Sequence, residues 1–370
     1  MIIFYDHQIF TFQRYGGISR YFYELIELLK NNEDTVIKTP FILSNNYYIS
    51  NNKKNIRHIN FLPHQEFRGK NRLMSIFNKR SSIINFKKQK FDIFHPTYYD
   101  PYFLKYIGNK PFILTVHDMI HEKFSEMFDR RDKTSIQKKI LIQKANKIIA
   151  ISNNTKKDLM EILNVDESKI EVIYLGNSMF PKNNLILNID IPQNYILFVG
   201  SRSGYKNFDR FIRAVFPLLH KDKNLYVVCA GGGKFQRKEY EFLKQLNILK
   251  QVIQFDVNDD ILAYLYKNAL AFVFPSLYEG FGIPVLEAFA CKCPLVCSNK
   301  SSLPEIADGG AIYFDPYDED SITNAIVNVL ENKNIRNNII KNGTERLKNF
   351  SWRKTATKTK ELYQEVLKNS

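Results

Sequence analysis

Two glutamates eight residues apart mark the segment with the strongest capacity for chemistry, FVFPSLYEGFGIPVLEAFA at Phe272–Ala290. A strand pattern ends near its start, a loop carries Glu279 to Gly282, and Pro284 is expected to open a helix because proline there leaves no amide unpaired. The glycines let backbone amides approach a ligand, and a helix N-terminus favours phosphate. Glu279 in the loop and Glu287, expected in the first helical turn, cannot bind phosphate. They are expected to accept hydrogen bonds from hydroxyls, as a sugar and a ribose provide.

The same glutamates have a plainer interpretation. Glu287 would then be an acid favoured near a helix start, and Glu279 a loop charge. The surrounding Gly-Phe-Gly-Ile-Pro favours the ligand site.

Two cations follow another strand pattern, Tyr195–Gly200, in the segment VGSRSGYKNF. Arg202 and Lys206 stand at the strand-to-helix turn, where they could neutralise a leaving diphosphate. The alternative for both is a basic loop on an already basic protein.

The first half offers fewer candidates. Gly16 and Gly17 lie between a first strand and a helix, and permit close backbone approach to phosphate or sugar, or simply a tight turn. His117 directly follows the strand pattern Phe112–Val116. A lone histidine at this position is either structural or faces a ligand. His95 also ends a strand pattern, and we favour a structural role for it. Gly231–Gly233 follow a strand in the second half and are expected to line a nucleotide.

These residues must be positioned by short apolar runs that alternate with helical patterns, which predicts parallel sheets with crossover helices. A chain of 370 residues exceeds what one core usually serves. The segment Pro181–Pro192 has two prolines and several asparagines, a composition that predicts an interdomain linker. We therefore predict doubly wound α/β domains at 1–185 and 186–350, and a helix at 351–370 that packs across their join. Ligands bind at the carboxyl ends of such strands, so the site is expected in a cleft between the domains.

Composition excludes several classes. A hydrophobic fraction of 44% and a charged fraction of 25% are typical of soluble globular proteins. No apolar run is long enough to span a membrane. The N-terminal residues predict a first strand rather than a signal peptide. The four cysteines fit buried free thiols in a reducing compartment better than a disulfide or a zinc site, so a cytoplasmic protein is expected.

The net charge of +15 indicates a polyanionic partner. Between Arg68 and Lys90 the chain has eight basic residues and no acid, interleaved with apolar residues. Such a segment can lie on an anionic membrane surface. The alternative is a solvated face over a packed helix.

PSLYEGFGIPVLEAFA, followed by SSLPEIA and IYFDP, resembles the retaining nucleotide-sugar glycosyltransferases of family 4. The similarity runs from YGGISRY to FSW and is most specific in the second half. The resemblance implies the GT-B fold, with two facing Rossmann-like domains of which the first binds the acceptor and the second the nucleotide sugar. The family signature E-x7-E is matched by Glu279 and Glu287. One departure is Lys292, at a helix end where relatives commonly have glycine, and local strain is expected there.

The resemblance also implies roles for individual residues. Glu279 would contact the donor sugar and Glu287 the ribose hydroxyls. Lys206 would grip the donor diphosphate with Arg202 as its partner. His117 would face the donor sugar near the reacting carbon. Backbone amides would reach the sugar from the donor loop Gly280, Phe281 and Gly282.

The implied reaction is transfer of a hexose with retention of anomeric configuration, in the synthesis of a surface polysaccharide such as O-antigen or capsule. Mannose is favoured as the sugar, and GDP-mannose over UDP-sugars as the donor. No metal or other cofactor is expected. The acceptor would be a glycan or a polyprenyl-diphosphate-linked glycan, which suggests a peripheral position at the inner face of the plasma membrane.

Two other classes of function remain open. One is a different GT-B enzyme, such as a nucleotide-sugar epimerase or a phosphorylase. The other, based on charge alone, is a nucleic-acid-binding protein, which would bind with steep salt dependence. We expect no nucleic-acid partner.

Overall fold

The computed structural model describes residues 1–51, 56–181 and 190–369. They divide into unit 1, Met1–Leu175 with Trp352–Ser370, and unit 2, Gly176–Ser351. The predicted linker Pro181–Pro192 lies mostly outside the described residues.

Unit 1 is built on short parallel strands whose side chains are largely buried, as parallel sheets require. They form two three-stranded sheets, ordered β2-β1-β3 and β4-β5-β6, and one parallel bridge between Phe94 and Phe112 joins β3 to the segment leading into β4. The apolar run at Val36–Leu43 predicts a longer second strand, but the strand ends at Lys38, shortly before Pro40, which has no backbone N–H to donate. The strands are β1 (Ile2–Tyr5), β2 (Val36–Lys38), β3 (Ile93–His95), β4 (Ile113–Val116), β5 (Lys147–Ala150) and β6 (Ile170–Val172).

Helices connect these strands. The first long one follows the paired glycines and buries Tyr21, Phe22 and Leu25 on one face. The helices of this part are α1 (Gln8–Phe12), α2 (Gly17–Lys30), α3 (Tyr47–Asn51), α4 (Lys70–Lys87), α5 (Ile120–Lys123), α6 (Thr134–Lys144) and α7 (Asn153–Leu163).

Unit 2 contains a six-stranded parallel sheet of order β12-β11-β10-β7-β8-β9. The chain builds β7, β8 and β9 outward to one side, then returns to place β10 on the other side of β7. The connections therefore diverge between β7 and β10, and ligands of doubly wound sheets bind outside the carboxyl ends at such a point. The strands are β7 (Tyr195–Val199), β8 (Tyr226–Ala230), β9 (Val252–Phe255), β10 (Ala271–Phe274), β11 (Leu295–Ser298) and β12 (Ala311–Phe314).

Helices cover this sheet and bury apolar stripes on it. Phe208 and Phe211 of the first pack on Phe198 of β7, with ring centroids 5.1 and 5.8 Å away. The helices are α8 (Phe208–Lys221), α9 (Arg237–Gln245), α10 (Asp259–Asn268), α11 (Ile283–Ala290), α12 (Leu303–Ala307), α13 (Glu319–Glu331) and α14 (Lys333–Leu347).

The helix α15 (Trp352–Lys368) returns to unit 1. The Tyr363 hydroxyl lies 2.7 Å from the Tyr5 hydroxyl and 2.6 Å from His95 Nδ1. His95 Nε2 bonds the Thr115 hydroxyl at 2.8 Å. Burial lowers the pKa of His95 to about 3, so its ring is neutral. His95 therefore has a structural role, as the sequence favoured.

The end of α11 shows the departure noted in the sequence. Lys292 adopts a left-handed conformation with φ of 55°. Its N–H donates to the Phe289 carbonyl at 3.1 Å, and the Cys293 N–H donates to the Ala288 carbonyl at 2.9 Å. These are the two bonds of a Schellman helix end, whose left-handed position favours glycine.

The four cysteines are buried free thiols, as expected. Burial raises the pKa of Cys229 and of Cys291 to about 12, which leaves both thiols protonated. In the part of the chain that the structure describes, no helix combines the length and apolar character needed to cross a membrane.

Candidate active site

An ion pair stands where the connections of unit 2 diverge. Lys206 ends the 3-10 turn Gly204–Lys206 after β7, and Glu279 follows β10. Lys206 Nζ lies 2.6 Å from Glu279 Oε1, and the two side chains are only 17% and 12% exposed. The structure thus brings a cation and a carboxylate together at the carboxyl ends of two adjacent strands.

The backbone around Glu279 is held on both sides. Its N–H donates to the Ser301 hydroxyl at 2.8 Å, and the Ser302 hydroxyl donates to its carbonyl at 2.9 Å. The Leu277 N–H donates to the Tyr205 carbonyl at 2.8 Å, which ties the loops after β10 and β7. The carboxylate therefore projects from a fixed loop, and the motif SSLPEIA supplies part of its support.

Gly282 caps α11 in a left-handed conformation with φ of 95°. A Cβ here would lie 2.8 Å from Leu303 Cδ2, so any larger residue would be both strained and crowded. The helix begins at Ile283, one residue before the predicted start at Pro284, which lies in its first turn. Phe281, just before it, is buried and packs edge-on against Phe350 at 5.8 Å. The donor loop is therefore anchored through Phe281 and Gly282 against Phe350 and Leu303.

Glu287 is the fifth residue of α11, so the expectation that it lies in the first helical turn is wrong. The helix begins one residue before Pro284, which moves Glu287 one position beyond that turn. Its Oε2 accepts a hydrogen bond from the Tyr266 hydroxyl of α10 at 3.2 Å. Burial raises the pKa of Tyr266 well above its ordinary value, so the phenol remains a donor. Glu287 is thus a buried carboxylate that already accepts from a hydroxyl.

Arg202 binds elsewhere. Its side chain is 2% exposed and its Nε lies 2.8 Å from Glu239 Oε1. Its terminal nitrogens donate to the carbonyls of Gly231 at 3.1 Å, Gly233 at 2.9 Å and Lys234 at 3.2 Å. The guanidinium is therefore bound within the loop that follows β8.

That loop has three consecutive glycines with left-handed φ angles of 79°, 71° and 71°. A Cβ on Gly232 would lie 2.7 Å from the Gly200 carbonyl oxygen and 2.8 Å from Arg202 Nη1, so glycine is required there. A cavity of about 520 Å³ opens beside it. Its lining includes Arg202 but not Lys206, Glu279 or Glu287, and consists of Ser201, Arg202, Ser203, Gly204, Asn207, Phe208, Asp209, Gly232, Gln236, Lys238, Glu239 and Phe242.

Two partners of the candidate residues were not identified from sequence. Glu239 binds Arg202, and its only local signal is the capping box that it forms with Gln236 at the start of α9. Tyr266 binds Glu287 from the neighbouring helix, and no local pattern marks it. Both contacts join residues far apart in the chain.

In unit 1, Gly16 caps α2 with extended backbone. A Cβ on Gly16 would lie 2.7 Å from Gln13 Oε1, and the same oxygen accepts from the Ser19 N–H at 3.2 Å. The close approach at Gly16 is therefore to the side chain of Gln13. Gly17 is the first residue of the helix.

His117 directly follows β4 and is almost fully buried. Its backbone N–H donates to the Tyr99 hydroxyl at 3.1 Å, and its ring packs edge-on against Tyr21 at 5.3 Å. Burial lowers the pKa of His117 to about 4, against a smaller opposing effect of Asp118. The imidazole is therefore neutral at pH 7.

Comparison with known proteins assigns the chain to a family. A model of "Glycosyltransferase Family 4" matches residues 15–177, and a model of "Glycosyl transferases group 1" matches residues 180–346. The chain is 28% identical over 288 residues to O-antigen chain mannosyltransferase B of Escherichia coli, covering 73% of this chain and 74% of that one. It is 32% identical over 222 residues to O-antigen chain mannosyltransferase RfbU of Salmonella typhimurium, covering 58% and 60%.

Solved structures show the same fold. Sucrose-phosphate synthase from Thermosynechococcus elongatus superposes with a TM-score of 0.78 at 20% identity, over 100% of this chain and 99% of that one. Anabaena HepE in complex with UDP and glucose superposes with a TM-score of 0.76 at 15% identity, over 98% and 99%.

The two parallel-sheet units have the GT-B fold of these solved structures, and the family models identify the chain as a glycosyltransferase. The chain belongs to glycosyltransferase family 4, among relatives that synthesise O-antigen.

Proposed function

We propose that the enzyme transfers a mannose from a nucleotide sugar, with retention of configuration, to a glycan carried on a polyprenyl diphosphate. The observation that carries the donor half of this proposal is the contact of 2.6 Å between Lys206 and Glu279 at the divergence point of the sheet. A cation beside a carboxylate suits a nucleotide sugar, because its diphosphate is anionic and its sugar presents hydroxyls.

In this proposal the ε-ammonium of Lys206 binds the diphosphate. The Glu279 carboxylate accepts hydrogen bonds from the donor sugar, and amides of the loop Gly280–Gly282 approach the same ligand. Glu287 accepts from the ribose hydroxyls, a role supported by its burial and by the hydroxyl it already binds. A buried carboxylate is well suited to this role, since it offers acceptors only.

Arg202 is assigned an indirect role. Its guanidinium is bound by Glu239 and by the glycine loop, so we propose that it positions this loop beside the donor instead of binding the diphosphate. His117, neutral at pH 7, can exchange a hydrogen bond with a sugar hydroxyl without adding charge.

The chemical step breaks the bond between the anomeric carbon and the diphosphate oxygen, which retains the electron pair. An acceptor hydroxyl forms the new bond on the same face and releases its proton to the departing diphosphate. Lys206 and the N-terminus of α11 stabilise the charge that develops on that leaving group. We propose that these groups suffice without a metal or other cofactor.

The relatives support the choice of substrates. Two are O-antigen mannosyltransferases, which favours mannose and GDP-mannose. A Campylobacter jejuni relative, 27% identical over 222 residues, is named for an undecaprenyl-diphosphate-linked acceptor. Such an acceptor would place the reaction at the inner face of the plasma membrane. The UDP-glucose complex of HepE makes UDP-sugars the competing donors to test.

A thermal-shift panel tests the donor site. GDP, UDP, GDP-mannose and UDP-glucose are each added to the wild type and to Glu287→Gln, because a ligand of the native state raises its melting temperature. We expect the largest shift with GDP-mannose and a smaller one in the variant. Glu305→Gln, which changes an acid of α12 outside the E-x7-E loop, is the matched control. If no nucleotide shifted the wild type, the proposed donor site would be wrong.

A further inference from the structure

Helix α4 is folded with its polar side inward. The positions that face the protein are spaced four apart, at Lys70, Met74, Asn78, Ser82 and Phe86. Three of the five are polar or charged. A surface helix ordinarily buries its apolar stripe instead.

Hydrogen bonds fix this orientation. Asn78 Oδ1 accepts from the N–H groups of Ile42 and Leu43, each at 2.9 Å. Its amide nitrogen donates to the Leu43 carbonyl at 2.7 Å and to the Thr11 hydroxyl at 2.9 Å. Lys70 Nζ donates to the Gln65 carbonyl at 2.8 Å. Rotating the helix to bury its apolar residues would break these bonds, so the outward face is a stable feature of the fold.

The outward face carries an apolar stripe, here called the outer stripe: Leu73, Ile76, Phe77 and Ile84. These side chains are 42%, 43%, 46% and 53% exposed. Leu73, Phe77 and Ile84 share one side of the helix with Arg80 and Lys87, since successive members stand four or three residues apart. Exposed apolar residues bordered by charge mark interaction surfaces.

The charges carried by α4 and its flanking residues have one sign. From Arg68 to Lys90 the chain has eight basic residues and no acid. Lys70 faces inward, and Lys79 lies 3.2 Å from Asp100. The other six, Arg68, Arg72, Arg80, Lys87, Lys88 and Lys90, are exposed. The alternative of a solvated face over a packed helix does not account for the four apolar side chains left in water.

We propose that this face of α4 docks on an anionic lipid bilayer. The outer stripe inserts at the level of the headgroups, and the surrounding arginines and lysines bind lipid phosphates. A second copy of the chain is disfavoured as the occupant, because two such faces would bring like charges together. The proposal rests on the proposed function for its purpose, since it brings the enzyme to a lipid-linked acceptor, but the contact itself needs neither donor nor acceptor.

Vesicle co-sedimentation tests the contact without substrates. The wild type is mixed with vesicles of phosphatidylcholine alone or of phosphatidylcholine with phosphatidylglycerol, over a range of NaCl concentrations. We expect binding only to the anionic vesicles, weakened by salt because the exposed charges are screened.

Two variants separate the contributions. Leu73→Ser with Phe77→Ser and Ile84→Ser should reduce the partition coefficient by about ten-fold or more, since the lost apolar area no longer inserts. Arg72→Gln, Arg80→Gln, Lys87→Gln and Lys88→Gln together should reduce it by about five-fold for each residue removed. Matched controls are Ile136→Ser with Ile162→Ser, and Lys139→Gln with Lys144→Gln, all exposed on α6 and α7. The controls should bind as the wild type does.

Melting temperatures and nucleotide-induced shifts are recorded for every variant, so that loss of folding or of the donor site is detected separately. The proposal is overturned if the wild type does not bind anionic vesicles, or if the α4 variants bind as well as the controls. It is also overturned if the wild type is a dimer that the outer-stripe variant converts to a monomer, because the occupant would then be a second copy.

Discussion

Lys206 Nζ and Glu279 Oε1 are 2.6 Å apart, although the two residues follow different strands and are separated by 73 positions in the chain. Each neutralises the other at the end of the sheet where a diphosphate and a sugar are proposed to bind. A bound diphosphate must therefore share the lysine with Glu279. In the proposed function, this arrangement couples recognition of the leaving group to the carboxylate that is proposed to bind the sugar.

Replacing Lys206 should weaken binding of nucleoside diphosphates. Lys206→Gln removes a charge-assisted hydrogen bond worth about 1.5–3 kcal/mol, which corresponds to a loss of roughly 10- to 100-fold in affinity. Isothermal titration with GDP and with guanosine measures it, and guanosine should bind both proteins equally. Lys300→Gln is the control. Lys300 follows β11, pairs with Asp315 and lies outside the proposed donor contacts. Equal GDP affinity in Lys206→Gln and the control would contradict the role of Lys206.

The pair Arg202–Glu239 should stabilise the glycine loop. Arg202→Met leaves Glu239 and four carbonyls of the loop after β8 without their buried partner, and should lower the free energy of unfolding by about 3 kcal/mol. Denaturant titrations of Arg202→Met, Glu239→Gln and the double variant measure the coupling. Arg237→Met is the control, since the Arg237–Glu241 pair on the same helix is exposed and should contribute less than about 0.5 kcal/mol.

The same variants distinguish two roles for Arg202. If it positions the loop, Glu239→Gln should weaken nucleotide binding together with Arg202→Met. If it binds the diphosphate directly, Glu239→Gln would release the guanidinium and binding would be preserved or strengthened.

Acidification should destabilise the fold through its buried histidines. The pKa of His117 is lowered to about 4, whereas an unfolded histidine titrates near 6.5. Between these values the unfolded chain binds a proton that the folded chain does not, so stability falls as the pH falls. One such histidine removes about 2 kcal/mol between pH 7 and pH 5. His117→Gln should lose that much less over this interval, as measured by denaturant titration, whereas His64→Gln, an exposed site of unit 1, should behave as the wild type does.

Glycine at position 292 should stabilise the protein. Lys292 is exposed and left-handed, a conformation that costs a residue with a Cβ about 1–2 kcal/mol, partly offset by the entropy that glycine loses on folding. We expect a net gain of about 0.5–1 kcal/mol for Lys292→Gly. Lys292→Ala keeps the strain and removes only the side chain, so it should not be stabilised. Thermal unfolding of the three proteins tests this, and a gain shared by Lys292→Ala would point to the charge instead.

Local patterns predicted the elements well where apolar runs were short and bounded. The strand patterns Phe112–Val116 and Tyr195–Gly200 correspond to β4 and β7 to within one residue at one end, and the glycines and proline of the donor loop predicted the start of α11 to within one residue. The predicted position of Glu287 within α11 was wrong by one residue, because capping geometry sets where a helix starts and Pro284 indicates that start only approximately. Element types thus follow from the sequence more closely than their ends do.

Contacts between distant elements could not be predicted from such patterns. Arg202 pairs with Glu239 of α9, which follows the neighbouring strand, and Glu287 bonds Tyr266 of the neighbouring helix α10. No local sequence pattern indicates that these residues meet. Helix α4 shows a further reason. The apolar Leu73 and Phe77 do not face the protein, because Asn78 does so and accepts hydrogen bonds from the N–H groups of Ile42 and Leu43, and these bonds fix the rotation of the helix.

The return of α15 to unit 1 has a consequence for the order in which the protein folds during translation. His95 and Tyr5 lie in strands made early, whereas Tyr363, which completes their buried hydrogen bonds, leaves the ribosome only after all of unit 2. Buried polar groups that lack a partner are unfavourable. Unit 2 can therefore reach its native packing first, whereas unit 1 lacks these hydrogen bonds until α15 has been synthesised.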